Sequence, residues 1–298
     1  MHIKRREFLK TATAGMAGAW MAGRAGLAAG EQAHPTATVP LGKTLKACRI
    51  SCGTGMRGGN RETNQTRLGK EKFEALLNYA YDQGIRQFDL ADLYGTHPYV
   101  GRILKDKPRS EVQLVSKIWT RPGGIPEKER LPADVLVKRF LEELQTDYID
   151  VLQIHCMTAA DWNVRDRPQM DIMEKLKQEG VIRAHGVSCH SIDALKTAAA
   201  EPWVDVVHAR VNPFGTKCDG PMEKVVPVLQ EIHAAGKGII GMKLIGEGTF
   251  DLEKRQETLQ YVMGLGCVDC MTVGFEKPEE IDEFLVSVRK RLAVPAAA

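Results

Sequence analysis

From residue 49 onward the chain alternates apolar runs of strand length with amphipathic segments of helix length, and this alternation restricts the fold more than any other feature. Strands separated by helices must lie parallel, because each helix carries the chain back to begin the next strand beside the last. Eight runs read as strands: Arg49–Gly53, Gln87–Leu90, Val112–Lys117, Ile149–His155, Ala184–Ser188, Val206–Val211, Gly238–Lys243 and Cys270–Gly274. Between them, helices are predicted at Lys70–Asp82, Pro132–Leu144, Met170–Gln178, Met222–His233, Leu252–Met263 and Pro278–Arg289. Gly84, Gly180, Gly236 and Gly266 sit where a helix hands over to a strand, the usual place for a glycine past a helix end. Eight such units favour a closed (β/α)8 TIM barrel; the pattern alone leaves a doubly wound open sheet as the alternative.

Length agrees with one barrel. Of 298 residues, residues 1–29 read as an export signal peptide and 30–48 as a linker and N-terminal hairpin. The barrel itself is assigned to 49–298, close to the roughly 250 residues one such domain needs. The leader begins with basic residues, continues through an uncharged stretch from Thr11 to Gly23 and ends in small residues. Lys4-Arg5-Arg6-Glu7-Phe8-Leu9-Lys10 resembles a twin-arginine export signal, and Arg24 near the small-residue end fits the same route. The expectation is recognition by the twin-arginine translocation machinery and a periplasmic or other extracytoplasmic location. The uncharged stretch is shorter than the roughly 20 apolar residues that span a bilayer, so no stable membrane anchor is expected.

The formal net charge is only +3 and the cations are dispersed. That argues against the clustered basic face nucleic acid selects. Seven cysteines, an odd number scattered over a chain this long, do not form a disulfide framework. Cys267 and Cys270 are the one close pair, and with no second pair nearby they read as buried thiols, with no metal site expected.

In a barrel, the C-terminal ends of all strands open into one mouth. Asp89, Lys117, His155, Ser188, Asn212 and Lys243 all lie at or just past such ends. Reducing a carbonyl by hydride needs a proton donor at the oxygen, and a phenol serves better when a cation lowers its pKa from about 10. Tyr94 beside Lys117 would supply this, Asp89 would hold the ammonium, and a neutral His155 would orient the substrate oxygen.

The local sequence strengthens that quartet. The run from Gly84 to Tyr94, GIRQFDLADLY, resembles the aldo-keto reductase signature, in which the catalytic Asp precedes the catalytic Tyr by five residues. Val100-Gly101, then Val115-Ser116-Lys117-Ile118-Trp119, then Leu144 to His155 (LQTDYIDVLQIH), follow in the family's order, and the similarity extends from Leu41-Gly42-Lys43-Thr44 to Pro278-Glu279-Glu280-Ile281. The resemblance implies hydride transfer between NADP or NAD and a carbonyl or alcohol. Tyr94 would act as acid and base, with Asp89, Lys117 and His155 around it.

It also implies cofactor contacts at Thr54, Ser188 and the Met242-Lys243-Leu244-Ile245-Gly246 segment. Cys189 and His208 stand where many relatives have Asn and Gln at the carboxamide. Gly274, Lys277 and Glu280 lie in the stretch where relatives that prefer the phosphorylated dinucleotide usually place Lys and Arg. Lys277 is the sole cation there, and Glu280 would repel a 2′-phosphate. The substrate pocket is expected from Trp119, the loop Arg121–Arg130 and the segment Met157–Arg167. Trp119 and Trp162 would stack on a sugar or aromatic ring. A rival reading is a barrel that binds nicotinamide in a regulatory, non-catalytic role.

Overall fold

The computed structural model describes residues 34–293; the expected export signal lies outside them. A short hairpin of β1 (Thr38–Leu41) and β2 (Leu45–Cys48) leads into eight parallel strands. These are β3 (Ile50–Gly53), β4 (Gln87–Asp89), β5 (Gln113–Ile118), β6 (Ile149–Met157), β7 (Ile182–Cys189), β8 (Val206–Arg210), β9 (Gly238–Met242) and β10 (Cys270–Gly274). They close in sequence order, β10 pairing back onto β3. The open-sheet alternative is thereby excluded, and each expected strand is found within two residues of its predicted ends.

The crossover helices are α1 (Asn64–Arg67), α2 (Lys70–Asp82), α3 (His97–Leu104), α4 (Ala133–Leu144), α5 (Trp162–Arg165), α6 (Arg167–Gln178), α7 (Ile192–Ala200), α8 (Met222–Ala234), α9 (Leu252–Gly264) and α10 (Pro278–Leu292). Their inward faces follow helical spacing. In α2, Phe73, Leu76, Leu77 and Ala80 are buried, and in α4, Ala133, Leu136, Val137, Phe140 and Leu144 are. Local signals fix their starts: Ser191 caps α7 by accepting from Ala194 N, and Asp251 caps α9 by accepting from Lys254 N. None of the described helices is long and apolar enough to cross a membrane.

Strand residues alternate between two environments. One set faces the helices, in the large apolar core that holds Ile118, Ile154, Val187, Cys189 and Val207. The other faces the barrel axis. At the N-terminal end this axial set is apolar: Val115, Val151, Ala184, Val206, Ile240 and Cys270 pack with Leu41 and Ala47 of the hairpin, which closes that end. Two residues further along, the same inward positions become Lys117 on β5, Gln153 on β6 and His208 on β8. Lys117 pairs in register with Gln153, as Val115 does with Val151.

Candidate active site

Asp89 ends β4, and the turn after it carries Tyr94 on a single 3-10 turn, Asp92–Tyr94. Gly55 lets the loop after β3 cross over the phenol; a Cβ there would lie 2.3 Å from a Tyr94 ring carbon. The Tyr94 hydroxyl is 3.3 Å from His155 Nε2, and the two rings meet edge to face with centroids 5.3 Å apart. Lys117 Nζ donates to Asp89 Oδ1 and to the Leu90 carbonyl at 3.0 Å. It also lies 5.4 Å from the Tyr94 ring centroid. Asp89, Tyr94, Lys117 and His155 thus converge, although the sequence separates them by up to 66 positions.

Electrostatics modify the expected roles. Burial drives His155 well below its ordinary pKa, and Lys117 adds to the effect, so the imidazole is neutral beside the phenol. Burial also pushes Tyr94 well above 10, and the nearby Asp89 and Cys156 push it further in the same direction. The expectation that Lys117 makes Tyr94 more acidic is therefore corrected. Its positive charge is compensated by Asp89, with which it forms a buried ion pair, and it meets the phenol over the ring face. Burial raises the Asp89 carboxyl and lowers the Lys117 ammonium, and their contact opposes both shifts.

His208 belongs to this interior. Gln153 Nε2 donates to the Val206 carbonyl at 3.1 Å. That orients its Oε1 toward His208 Nδ1, 2.7 Å away. Because Oε1 can only accept, Nδ1 carries the hydrogen, and Nε2 faces Asp89 Oδ1 at 3.4 Å. The expected carboxamide contact of His208 is corrected: its ring is fully buried, bonded to Gln153 and set against Asp89. Cys189, one residue out of phase, lies in the core between strands and helices, so its expected cofactor contact is corrected too. Ser188 is inward but its Oγ accepts from Cys156 N at 2.9 Å. Thr54 is fully buried, donating to the Asp89 carbonyl at 2.8 Å and lying 2.7 Å from Thr96 Oγ1. Its hydroxyl braces the β3 and β4 ends and does not line the cleft.

A cleft of about 670 Å³ runs from Asp89 and Tyr94 between the loop after β3 and the ends of β9 and β10. Met242, Lys243, Ile245 and Gly274 line it as expected, joined by Gly55, Arg57 and Glu247. Gly274 must be small, because a Cβ there would lie 2.4 Å from Met56 Cγ. Lys243 is paired with Glu247 at 2.7 Å, both in left-handed backbone conformations (φ 64° and 58°). The cleft continues, sharing Met56, Ile245, Gly248, Val273 and Gly274, into a depression lined by Glu276, Glu280 and Arg255. The Glu280 carboxylate accepts from Glu276 N at 2.8 Å. Lys277 is exposed and outside this lining, so the cation of the depression is Arg255. Sequence reasoning missed Arg57, Glu247 and Arg255, which sit on loops and a helix flank where no strand pattern marks them.

On the opposite wall, Trp119 lies edge to face with His155 at 5.3 Å and donates to the Gly123 carbonyl at 2.6 Å. Trp162 does not reach the site: it is fully buried in the core and donates to the Ala194 carbonyl at 3.2 Å, which corrects its expected substrate role. Cys267 and Cys270 are both buried free thiols. No group of side chains suited to a metal ion occurs among the described residues.

Comparison with known proteins places this arrangement. The profile of the Aldo/keto reductase family matches residues 49–285. An uncharacterized oxidoreductase of Bacillus subtilis (strain 168), YqkF, is 30% identical over 196 residues, covering 62% of this chain and 61% of that protein. The aldo-keto reductase YhdN of the same organism is 28% identical over 221 residues, covering 70% and 64%. The chain spans between half and two thirds of the length of such curated relatives. Among solved structures, an aldo/keto reductase from Klebsiella pneumoniae in complex with NADP and acetate aligns with a TM-score of 0.62 at 19% identity, over 84% of this chain and 89% of that one.

Proposed function

The chain belongs to the aldo/keto reductase family, and we propose that it is an oxidoreductase that moves hydride between NADP or NAD and a small carbonyl or alcohol substrate. The observation that carries this is the half-buried Tyr94 hydroxyl at one end of a long cleft, 3.3 Å from a neutral imidazole, with the Asp89–Lys117 pair behind it.

The cleft suits a dinucleotide. Its floor is opened by Gly55, Gly248 and Gly274, and Arg57 and Lys243 place two cations along it. Met242, Ile245 and Gly274 would hold the nicotinamide half, and Arg255 with Glu280 would flank the far end. The bound dinucleotide supplies or accepts the hydride. His155, kept neutral by burial, orients the carbonyl oxygen against the phenol. Tyr94, held protonated, gives its proton to that oxygen as negative charge develops. In oxidation the same groups work in reverse.

The buried Asp89–Lys117 pair supports catalysis over a regulatory nicotinamide-binding barrel. Desolvating two charges costs several kcal/mol per ion, a cost that a passive binder has no use for. Trp119 offers a flat apolar face beside His155 for a small aldehyde, an aromatic ring or a sugar.

We further propose export of the folded barrel by the twin-arginine translocation machinery to the periplasm, supported by Lys4-Arg5-Arg6-Glu7-Phe8-Leu9. Cofactor would then have to be bound before export. Two experiments test the two readings. Nicotinamide fluorescence of the purified barrel should shift on adding NADPH or NADH and decay when aldehydes are supplied; no binding and no decay would refute the enzyme. Cell fractionation should find the full chain outside the cytoplasm and the Arg5→Lys, Arg6→Lys double variant inside; equal distributions would refute the export route.

A further inference from the structure

The wall that carries Trp119 and His155 also carries a cation without a counter-charge. Arg61, Arg109, Arg139, Arg165 and Arg210 each form an ion pair with a carboxylate. Half-buried Arg121 forms none among the described residues. One of its nitrogens, Nη1, donates to the Cys156 carbonyl at 3.0 Å and to Cys156 Sγ at 2.9 Å. The guanidinium carbon lies 5.8 Å from the Trp119 ring centroid. Its Nε and Nη2 have no acceptor, yet neither is among the buried unpartnered atoms, so they remain open to a ligand.

The position of this fork is built. Cys156 follows His155 directly, has φ 64° and sits where the pairing of β6 with β7 shifts register between Ile154 and Met157. Its N–H is pinned to Ser188 Oγ, so the carbonyl that grips Arg121 is oriented by the same bend that presents His155 to Tyr94. A left-handed conformation is strained for a non-glycine residue, and the surrounding contacts must offset that strain. Other charges nearby do not compete. Arg210 is paired with Asp219 at 2.6 Å and Lys243 with Glu247 at 2.7 Å. His190 is pushed down to about 3 by burial and by Arg210, Lys243 and Arg121, so it is neutral.

We propose that Arg121 is a specificity-determining residue that receives the carboxylate of a small oxo acid whose aldehyde or ketone lies between His155 and Tyr94. This rests on the oxidoreductase reading of the same site. A planar fork with two free N–H groups matches a carboxylate, which carries a single negative charge; a dianionic phosphate would call for further donors. A charge-assisted contact of this kind is worth roughly 10- to 100-fold in affinity.

The test compares short ω-oxo acids with their methyl esters, which keep shape and lose charge. The purified barrel with NADPH or NADH should prefer each acid, chiefly through KM. Arg121→Gln should lower kcat/KM for the acids by about 10- to 100-fold and leave the esters unchanged; Arg121→Lys should restore part of the preference. Equal kcat/KM for acid and ester in the unsubstituted protein, or equal losses on both in Arg121→Gln, would overturn the assignment, as would a preference for phosphorylated aldehydes. Quenching of Trp119 fluorescence by an oxo acid, lost in Arg121→Gln, decides the matter without turnover. If the acid binds through Arg121 while neither acid nor ester is reduced, the subsite stands and the redox reading falls.

Discussion

At the N-terminal end of the barrel, Leu41 and Ala47 of the hairpin pack onto Val115, Val151 and Val206. Two residues further along the same three strands, Lys117 and His208 face the carboxylate of Asp89, and Gln153 holds His208. The carboxylates near the closed end are engaged: Asp150 pairs with Arg109 and Arg183 and accepts from Leu114 N, and Asp269 accepts from Ile239 N and Gly42 N. At the open end His155 Nδ1 has no hydrogen-bond partner, and His208 Nε2 meets only Asp89 at a long 3.4 Å. One end is built to hold the barrel together; the other leaves bonding capacity for reactants and gives up stability to do so.

That contrast can be broken most sharply at Tyr94. Tyr94→Phe should lower kcat for carbonyl reduction by about 10²- to 10⁴-fold while the melting temperature stays nearly unchanged, because only a hydroxyl is removed. A large thermal shift would show that the mouth, too, is structural. The reciprocal variant is Leu41→Ala at the closed end, which should cost about 2–5 kcal/mol in chemical denaturation. Its kcat per folded molecule should stay as before; a matching loss of kcat would show that the two ends are coupled.

The mouth should also carry an acid sensitivity. Burial holds His155, His190 and His208 below their ordinary pKa near 6.5. Folded, they stay neutral; unfolded, they take up protons below about 6.5. The unfolded state then binds more protons, so stability falls as pH drops from about 6.5 toward 5. Each group contributes at most about 1.4 kcal/mol per pH unit. His208→Gln should flatten that slope by one such increment, and unfolding free energies that fall as steeply as before would contradict the buried neutral assignment.

The smallest effect concerns the cleft. Glu247→Gln removes the carboxylate paired with Lys243 and should tighten dinucleotide binding by about two- to fivefold, more at low salt. A fluorescence titration showing unchanged or weaker binding would mean that Lys243 does not meet the cofactor.

Much of the molecule was legible from spacing alone. The strand succession and the placing of Asp89, Lys117 and His155 at the mouth follow from which residues end the strands, while the role of Tyr94 and the lining role of Met242 and Lys243 came from the family resemblance. Facing was harder. Cys189 shares the outward phase of Val187, so strand parity could have removed it from the cofactor's reach; His208 is inward like Val206, and parity does not tell it from a mouth residue. Trp162 begins a short helix after β6, and no periodicity shows whether such a residue turns to the site or to the core. Arg121 was named only as the start of a loop; its lack of a counter-ion is a property of what surrounds it.

The sequence by itself determined the number of barrel strands and their order along the chain, because apolar periodicity is local and cumulative, and its family resemblance named the quartet at the open end; four of the ten helices, Asn64–Arg67, His97–Leu104, Trp162–Arg165 and Ile192–Ala200, were not predicted. Only the tertiary structure decided charge compensation: that Asp89 neutralises Lys117, that His208 beside them stays neutral, and that Arg121 remains unpaired. Those outcomes depend on distances of a few ångströms between residues far apart in the chain, and on how far burial weakens the screening between them.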